Sequence, residues 1–190
     1  MGTATPPPGG ADRTRPRGLD RLWAGWRSRY VAAADDDVPE GDHEGSVFRR
    51  ILASGRPDEE TYILWRGRAT FAILNLYPYT SGHVLLMPYR EVPDLERLAA
   101  DESAELWWSV RAAVVAVKAA YAPDGLNVGI NLGEAGGAGV PSHLHVHVLP
   151  RWKADSNFMT SVAEARVLPE SLGDSWRRLR AVWPERLPGA

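Results

Sequence analysis

The chain has 190 residues, 44% of them hydrophobic, and its 22 Lys and Arg against 24 Asp and Glu leave a formal net charge of −2. That length and apolar share suit one domain with a substantial core, and the balanced charge excludes the basic field that long nucleic acid requires. Cysteine is absent, which excludes a disulfide framework and any thiolate metal site.

Residues 1–17 are rich in Pro, Gly and Arg and read as a disordered tail. The N-terminus lacks the apolar centre of a signal peptide and no apolar run approaches bilayer length, so the expectation is a cytoplasmic protein without a membrane partner. Leu19, Leu22, Trp23, Trp26 and Tyr30 recur at helical spacing and predict an amphipathic helix, followed by the solvated acidic run Asp35-Asp36-Asp37; together these make 18–45 an N-terminal extension. The main domain spans 46–152. Strands are expected over Tyr62 to Arg66, Thr70 to Leu76 and His83 to Pro88, separated by turn signals at Arg66-Gly67 and Pro78-Tyr79-Thr80-Ser81-Gly82. A long helix follows, with Asp101 or Ser103 available as its cap. Leu106, Val110, Val114, Val117 and Tyr121 form its buried stripe, and Pro123-Asp124-Gly125 ends it. Leu126 to Asn131 and His143 to Leu149 then form a strand pair around a glycine-rich loop. In the C-terminal extension, 153–190, an edge strand is expected over Phe158 to Leu168 and a helix over Glu170 to Trp183, stopped by Pro184. Antiparallel strands with a packed helix define an α+β fold.

The chemistry is concentrated in Ser142-His143-Leu144-His145-Val146-His147-Val148-Leu149. On an extended strand this alternation throws all three imidazoles onto one face, about 6.6 Å apart, and buries Leu144, Val146 and Val148 on the other. Desolvating three adjacent titratable rings for packing alone would waste stability, so the cluster marks a functional site. Zinc chelation by two of them needs further ligands, yet the other histidines are only His43 and His83, and Glu134 and Asp155 fall in no ligand pattern. No metal site is therefore expected. The nucleophilic reading has one imidazole attack phosphorus while its neighbours hold the protons. Just upstream, Asn131 to Pro141 carries four glycines in seven residues, which lets backbone N–H groups approach an anion closely. It is not a Walker loop, since no Gly-Lys-Ser/Thr follows.

These residues resemble the histidine triad (HIT) family of nucleotidyl hydrolases and transferases, whose signature is His-φ-His-φ-His-φ-φ with φ apolar; His143 to Leu149 fits every position. A second block, Asn75-Leu76-Tyr77-Pro78-Tyr79-Thr80-Ser81-Gly82-His83-Val84-Leu85-Leu86-Met87-Pro88, looks like the family's Asn-containing strand, turn and Gly-His strand. Within the family the chain is most similar to the actinobacterial diadenosine tetraphosphate phosphorylase and hydrolase branch, through Asn127 to Gly133, His147 to Trp152 and Asp155 to Phe158. Two departures stand out. Ala138-Gly139-Val140 replaces a loop Ser of the branch's phosphorylases, and Ser46-Val47-Phe48-Arg49 replaces a Cys-x-x-Cys that holds structural zinc in many members, so this segment is expected to be held by packing.

The resemblance implies that His145 is the nucleophile that forms a covalent nucleotidyl intermediate, that His147 contacts the transferring phosphate and bridging oxygen, and that His143 orients the cluster from behind. It matches Asn75 to ribose contacts and Asn131, with Gly137 and Gly139, to the phosphate. Trp152 is a candidate for stacking on a base or for packing, and His83 for a place at the nucleotide site or a structural hydrogen bond. The implied activity is cleavage of diadenosine polyphosphates with phosphate or water as acceptor. Alternatives are hydrolysis of adenosine phosphoramidates or aminoacyl-adenylates, or dinucleotide sensing without turnover. The implied partners are a small nucleotide substrate and a second copy of the chain as homodimer. No cofactor is required by the protein, and a divalent metal would arrive with the polyphosphate.

Overall fold

The computed structural model describes residues 45–155 and 170–185. In chain order these form α1 (Val47–Ala53), α2 (Asp58–Thr61), β1 (Ile63–Arg66), β2 (Thr70–Leu74), β3 (Val84–Pro88), α3 (Ala100–Tyr121), β4 (Gly125–Ile130), β5 (Val146–Arg151) and α4 (Leu172–Val182), with one 3-10 turn at Leu95–Arg97. The strands make one antiparallel sheet in the order β1-β2-β3-β5-β4. The expected N-terminal tail and helix, and the strand over Phe158 to Leu168, lie outside the described residues.

Strands β2 and β3 are apolar apart from Thr70 because both of their faces are covered: all their residues are buried. Alternate residues divide between two cores. Leu64, Ala72, Leu74, Val84, Leu86, Val146 and Val148 pack against Leu106, Val110, Ala113 and Val117 of α3. On the opposite face Ile63, Phe71, Ile73, Leu85 and Met87 gather around Phe48 of α1.

The long helix starts earlier than its caps implied. Neither Asp101 nor Ser103 caps it; Ala99 is the N-cap, and the Glu102 carboxylate reaches back to accept the Ala99 N–H at 2.8 Å, half of a capping box. Its buried stripe is also richer in small residues, with Ser109, Ala112, Ala113 and Ala116 buried while Val114 and Tyr121 are only partly so. Small side chains let the helix lie close on the sheet.

The segment 46–49 is more than packed chain. It opens α1, with Ser46 as N-cap accepting the Arg49 N–H at 3.4 Å. The C-terminal helix lies where it was expected, capped by Ser171. Leu179 buries into the α3 core, and Trp176 Nε1 donates to the carbonyl of Ile63 on β1 at 2.9 Å. Among the described residues no helix is long and apolar enough to cross a membrane.

One strand is corrected. The ladder expected from His143 begins only at Val146 and continues to Arg151. Val146 meets Leu86 and Ile130, the last pairs on either side. Beyond them β4 departs into the glycine-rich loop and β3 ends at Pro88, which has no N–H to give. The Leu144 N–H instead donates to the carbonyl of Val92 at 2.7 Å.

Candidate active site

The alternation survives the loss of ladder pairing. Leu144, Val146 and Val148 join the core under α3, while the rings of His143 and His145 meet Phe48 on the other face at centroid distances of 5.5 and 5.7 Å. His145 and His147 stand edge to face at 4.9 Å.

Each ring has its protons assigned by its partners. A carbonyl only accepts, so His145 Nδ1, 2.8 Å from the carbonyl of His143, carries the proton and leaves Nε2 with its lone pair. Burial pushes the His145 pKa below the ordinary histidine range against the raising effect of that bond, and the ring is neutral. His143 Nε2 likewise donates to the carbonyl of Pro88 at 2.8 Å, so its Nδ1 accepts from the Ser46 hydroxyl at 2.7 Å. Burial again lowers its pKa, over the opposing effects of the Pro88 bond and of Glu91.

His147 is held differently. The Tyr79 N–H donates to His83 Nδ1 at 3.2 Å, which puts the His83 proton on Nε2. That nitrogen lies 3.0 Å from His147 Nδ1, so His147 accepts there and carries its own proton on Nε2. Asn75 contributes from the side: its Oδ1 accepts the Tyr77 N–H at 3.0 Å, which turns Nδ2 toward His83 Nδ1 at 3.3 Å. The expected ribose ligand is thus also a partner of His83, and His83, fully buried, orients His147.

His147 opens onto a cleft of about 360 Å³ whose lining includes Tyr79, Asn127, Gly129, Asn131 and Arg151. Asn131 Nδ2 donates to the carbonyl of Gly137 at 3.2 Å and ties the glycine-rich loop to the end of β4. Gly137 has a left-handed φ of +87°, and a Cβ at Gly136 would come 2.2 Å from the Leu132 carbonyl oxygen. Glycine is required at both. Gly139 is exposed on the same loop. Trp152 lies elsewhere, edge-on against Tyr121 at 6.2 Å. Arg151 is clamped by Asp155 at 2.7 Å and by Asn127 Oδ1 at 2.8 Å. Among the described residues no group of three or more His, Cys, Asp or Glu could hold a metal ion.

Two of the residues around the triad, Ser46 and Tyr79, were not singled out from the sequence. Ser46 carried a signal, being an N-cap residue ahead of an apolar run. Tyr79 donates its backbone N–H to His83, which no side-chain motif reports, and its ring lies against those of His83 and His147.

Residues 56–154 match the HIT domain. This chain belongs to the HIT family. It is 41% identical over 167 residues to AP-4-A phosphorylase of Mycobacterium tuberculosis, an alignment that covers 87% of this chain and 85% of the relative. It is 39% identical over 93 residues to the asymmetrical bis(5'-nucleosyl)-tetraphosphatase of Schizosaccharomyces pombe, covering 49% of this chain and 50% of that protein. A zinc-bound histidine triad family protein of Mycobacterium smegmatis superposes with a TM-score of 0.58 at 29% identity, over 73% of this chain and 93% of that one. The HIT fold expected from the sequence, an antiparallel sheet with a long packed helix, is the fold observed.

Proposed function

We propose that this HIT enzyme cleaves diadenosine polyphosphates, diadenosine tetraphosphate among them, through a nucleotidyl intermediate on His145. The observation that carries this reading is the pair of opposite tautomers on neighbouring rings: His145 offers a lone pair at Nε2 while His147 offers a proton at Nε2. A nucleophile and a hydrogen-bond donor for the departing oxygen, set side by side, are what displacement at phosphorus needs.

In the first step His145 Nε2 bonds to the α-phosphorus and the bond to the bridging oxygen breaks. The leaving nucleotide departs as a phosphate anion, its oxygen held by the hydrogen bond that His147 Nε2–H donates. The positive charge left on the His145 ring is shared with the His143 carbonyl through Nδ1–H. In the second step the acceptor oxygen displaces His145: the bond from phosphorus to Nε2 breaks with its electron pair returning to Nε2, any proton the acceptor sheds passes to solvent, and both rings are restored. Asn131 and the loop of Gly137 and Gly139 are assigned to the phosphates, Asn75 to the ribose as well as to His83. Similarity to AP-4-A phosphorylase favours inorganic phosphate over water as the acceptor. No cofactor is assigned to the protein; a divalent ion would enter with the substrate. We assign the enzyme to the cytoplasm as a homodimer joined through β4, the exposed outer strand.

The test is incubation with diadenosine tetraphosphate, with and without inorganic phosphate, followed by chromatography. Phosphate-dependent ADP plus ATP is the expected result. Phosphate-independent AMP plus ATP would make the enzyme a hydrolase, and no turnover in either buffer would overturn the dinucleotide reading in favour of phosphoramidate substrates or a sensor.

A further inference from the structure

The side chain of Ser46 lies outside the proposed chemistry, yet it is buried, as is the His143 ring it bonds. Its oxygen accepts the Arg49 N–H at 3.4 Å as the cap of α1, so its single proton is committed to His143 Nδ1 at 2.7 Å. The ring is thereby pinned at both nitrogens, to α1 on one side and to the end of β3 at Pro88 on the other. The backbone that carries this ring presents the carbonyl that holds His145 Nδ1–H.

We propose that the Ser46 hydroxyl is a positioning group for nucleotidyl transfer: by donating to His143 Nδ1 it fixes one tautomer of His143, and with it the carbonyl that aims His145 Nε2 at phosphorus. This deepens the transfer mechanism above and rests on it. The surroundings fit the role. The Glu91 carboxylate accepts the Ser46 N–H at 2.8 Å and steadies the cap, and Gly45 supplies a left-handed φ of +105° where a Cβ would strike Arg49 and Glu91. The edge-on Phe48 ring covers His143. The charged and titratable groups facing His143 are Glu91, which favours its protonation, and Arg49, which opposes it, together with His145, whose Nδ1–H bonds its carbonyl. The Ser46 donor occupies the one nitrogen at which His143 would take a second proton.

Three variants separate this role from helix capping. Glycine is nearly as good an N-cap as serine, whereas alanine is poor. S46G therefore removes the hydroxyl with little cost to α1, S46A removes hydroxyl and cap together, and S46T restores the donor. In full-length protein turning over diadenosine tetraphosphate, S46G and S46A are expected to lose kcat by about 10- to 100-fold with KM little changed, and the acid limb of the S46G pH profile moves to higher pH. S46T recovers most of the rate. ¹⁵N NMR of the wild-type imidazoles should show His143 protonated at Nε2 and bare at Nδ1, a state that S46G lets mix. S46G with wild-type kcat, or a wild-type His143 protonated at Nδ1, would overturn the inference. Since NMR needs no substrate, a wild-type enzyme inert toward dinucleotides would refute the functional reading while the tautomer is still judged on its own.

Discussion

His145 and His147 sit two residues apart in one extended segment, yet they are held by different kinds of partner. His145 bonds a backbone carbonyl, which accepts at every pH and permits only one tautomer. His147 bonds another imidazole, His83, whose own state depends on a backbone N–H further back. The first arrangement suits a nucleophile, which must keep its lone pair. The second suits a group that must keep its proton on Nε2 and lend it as a hydrogen bond in each cycle, because the His83 donor at Nδ1 holds that tautomer. Identical side chains are thus divided into two functions by what stands behind them.

The most severe way to break this contrast is to remove the nucleophile. His145→Ala should lower turnover by at least about 10⁴-fold and abolish trapping of a labelled nucleotidyl-enzyme after acid quench, with nucleotide binding largely kept. Disturbing only the other arm should cost less. His83→Leu deprives His147 Nδ1 of its donor, and kcat for diadenosine tetraphosphate should fall by about 100-fold. The loss should shrink for an AMP ester of a better leaving group such as 2,4-dinitrophenol, whose departing oxygen carries less charge for a hydrogen bond to stabilise, and equal losses on both substrates would refute a His147 hydrogen bond to the leaving oxygen.

A third test reads the buried arm through stability. His143 and His145 have folded-state pKa values below the unfolded value of 6.5, so the unfolded chain binds more protons between the two. Their contribution is fully present above about pH 6.5 and is lost as the pH falls through the depressed folded values. Denaturation midpoints taken from pH 7.5 down to 5 should decline accordingly, and His143→Gln should flatten the decline. The mildest change is Asn75→Ala. The Tyr79 N–H still fixes the His83 tautomer, so the two side-chain hydrogen bonds of Asn75, to His83 and from the Tyr77 N–H, are lost without freeing that ring, and the rate should change by no more than about tenfold. A rise in KM would report the ribose contact, and a fall in kcat the support of His83.

The alternation of His143, His145 and His147 was legible because side-chain direction in extended chain has a period of two whether or not the ladder is formed. The extent of the ladder was not legible, since it depends on where β4 and β3 run out of partners. The α3 stripe was readable at Leu106, Val110 and Val117, where large residues recur. It was misjudged at Val114 and Tyr121, because Ala113 and Ala116 admit a closer approach than a hydrophobicity pattern reveals. The partnership of Ser46 with His143 joins residues 97 apart in sequence, and only the finished fold brings them together. Trp152 shows the converse: it directly follows β5, yet its ring turns to Tyr121 and not to the cleft.

The indole of Trp176 has a consequence for growth of the sheet. The outer strands are β1 and β4. On β1 the indole N–H occupies the carbonyl of Ile63, and α4 lies alongside. An incoming strand finds that margin obstructed, while among the described residues β4 has β5 as its one strand neighbour. Strand addition is therefore one-sided. Two copies joined through β4, as proposed above, would satisfy each other by a twofold axis and leave neither a free margin at which a third could start a fibre.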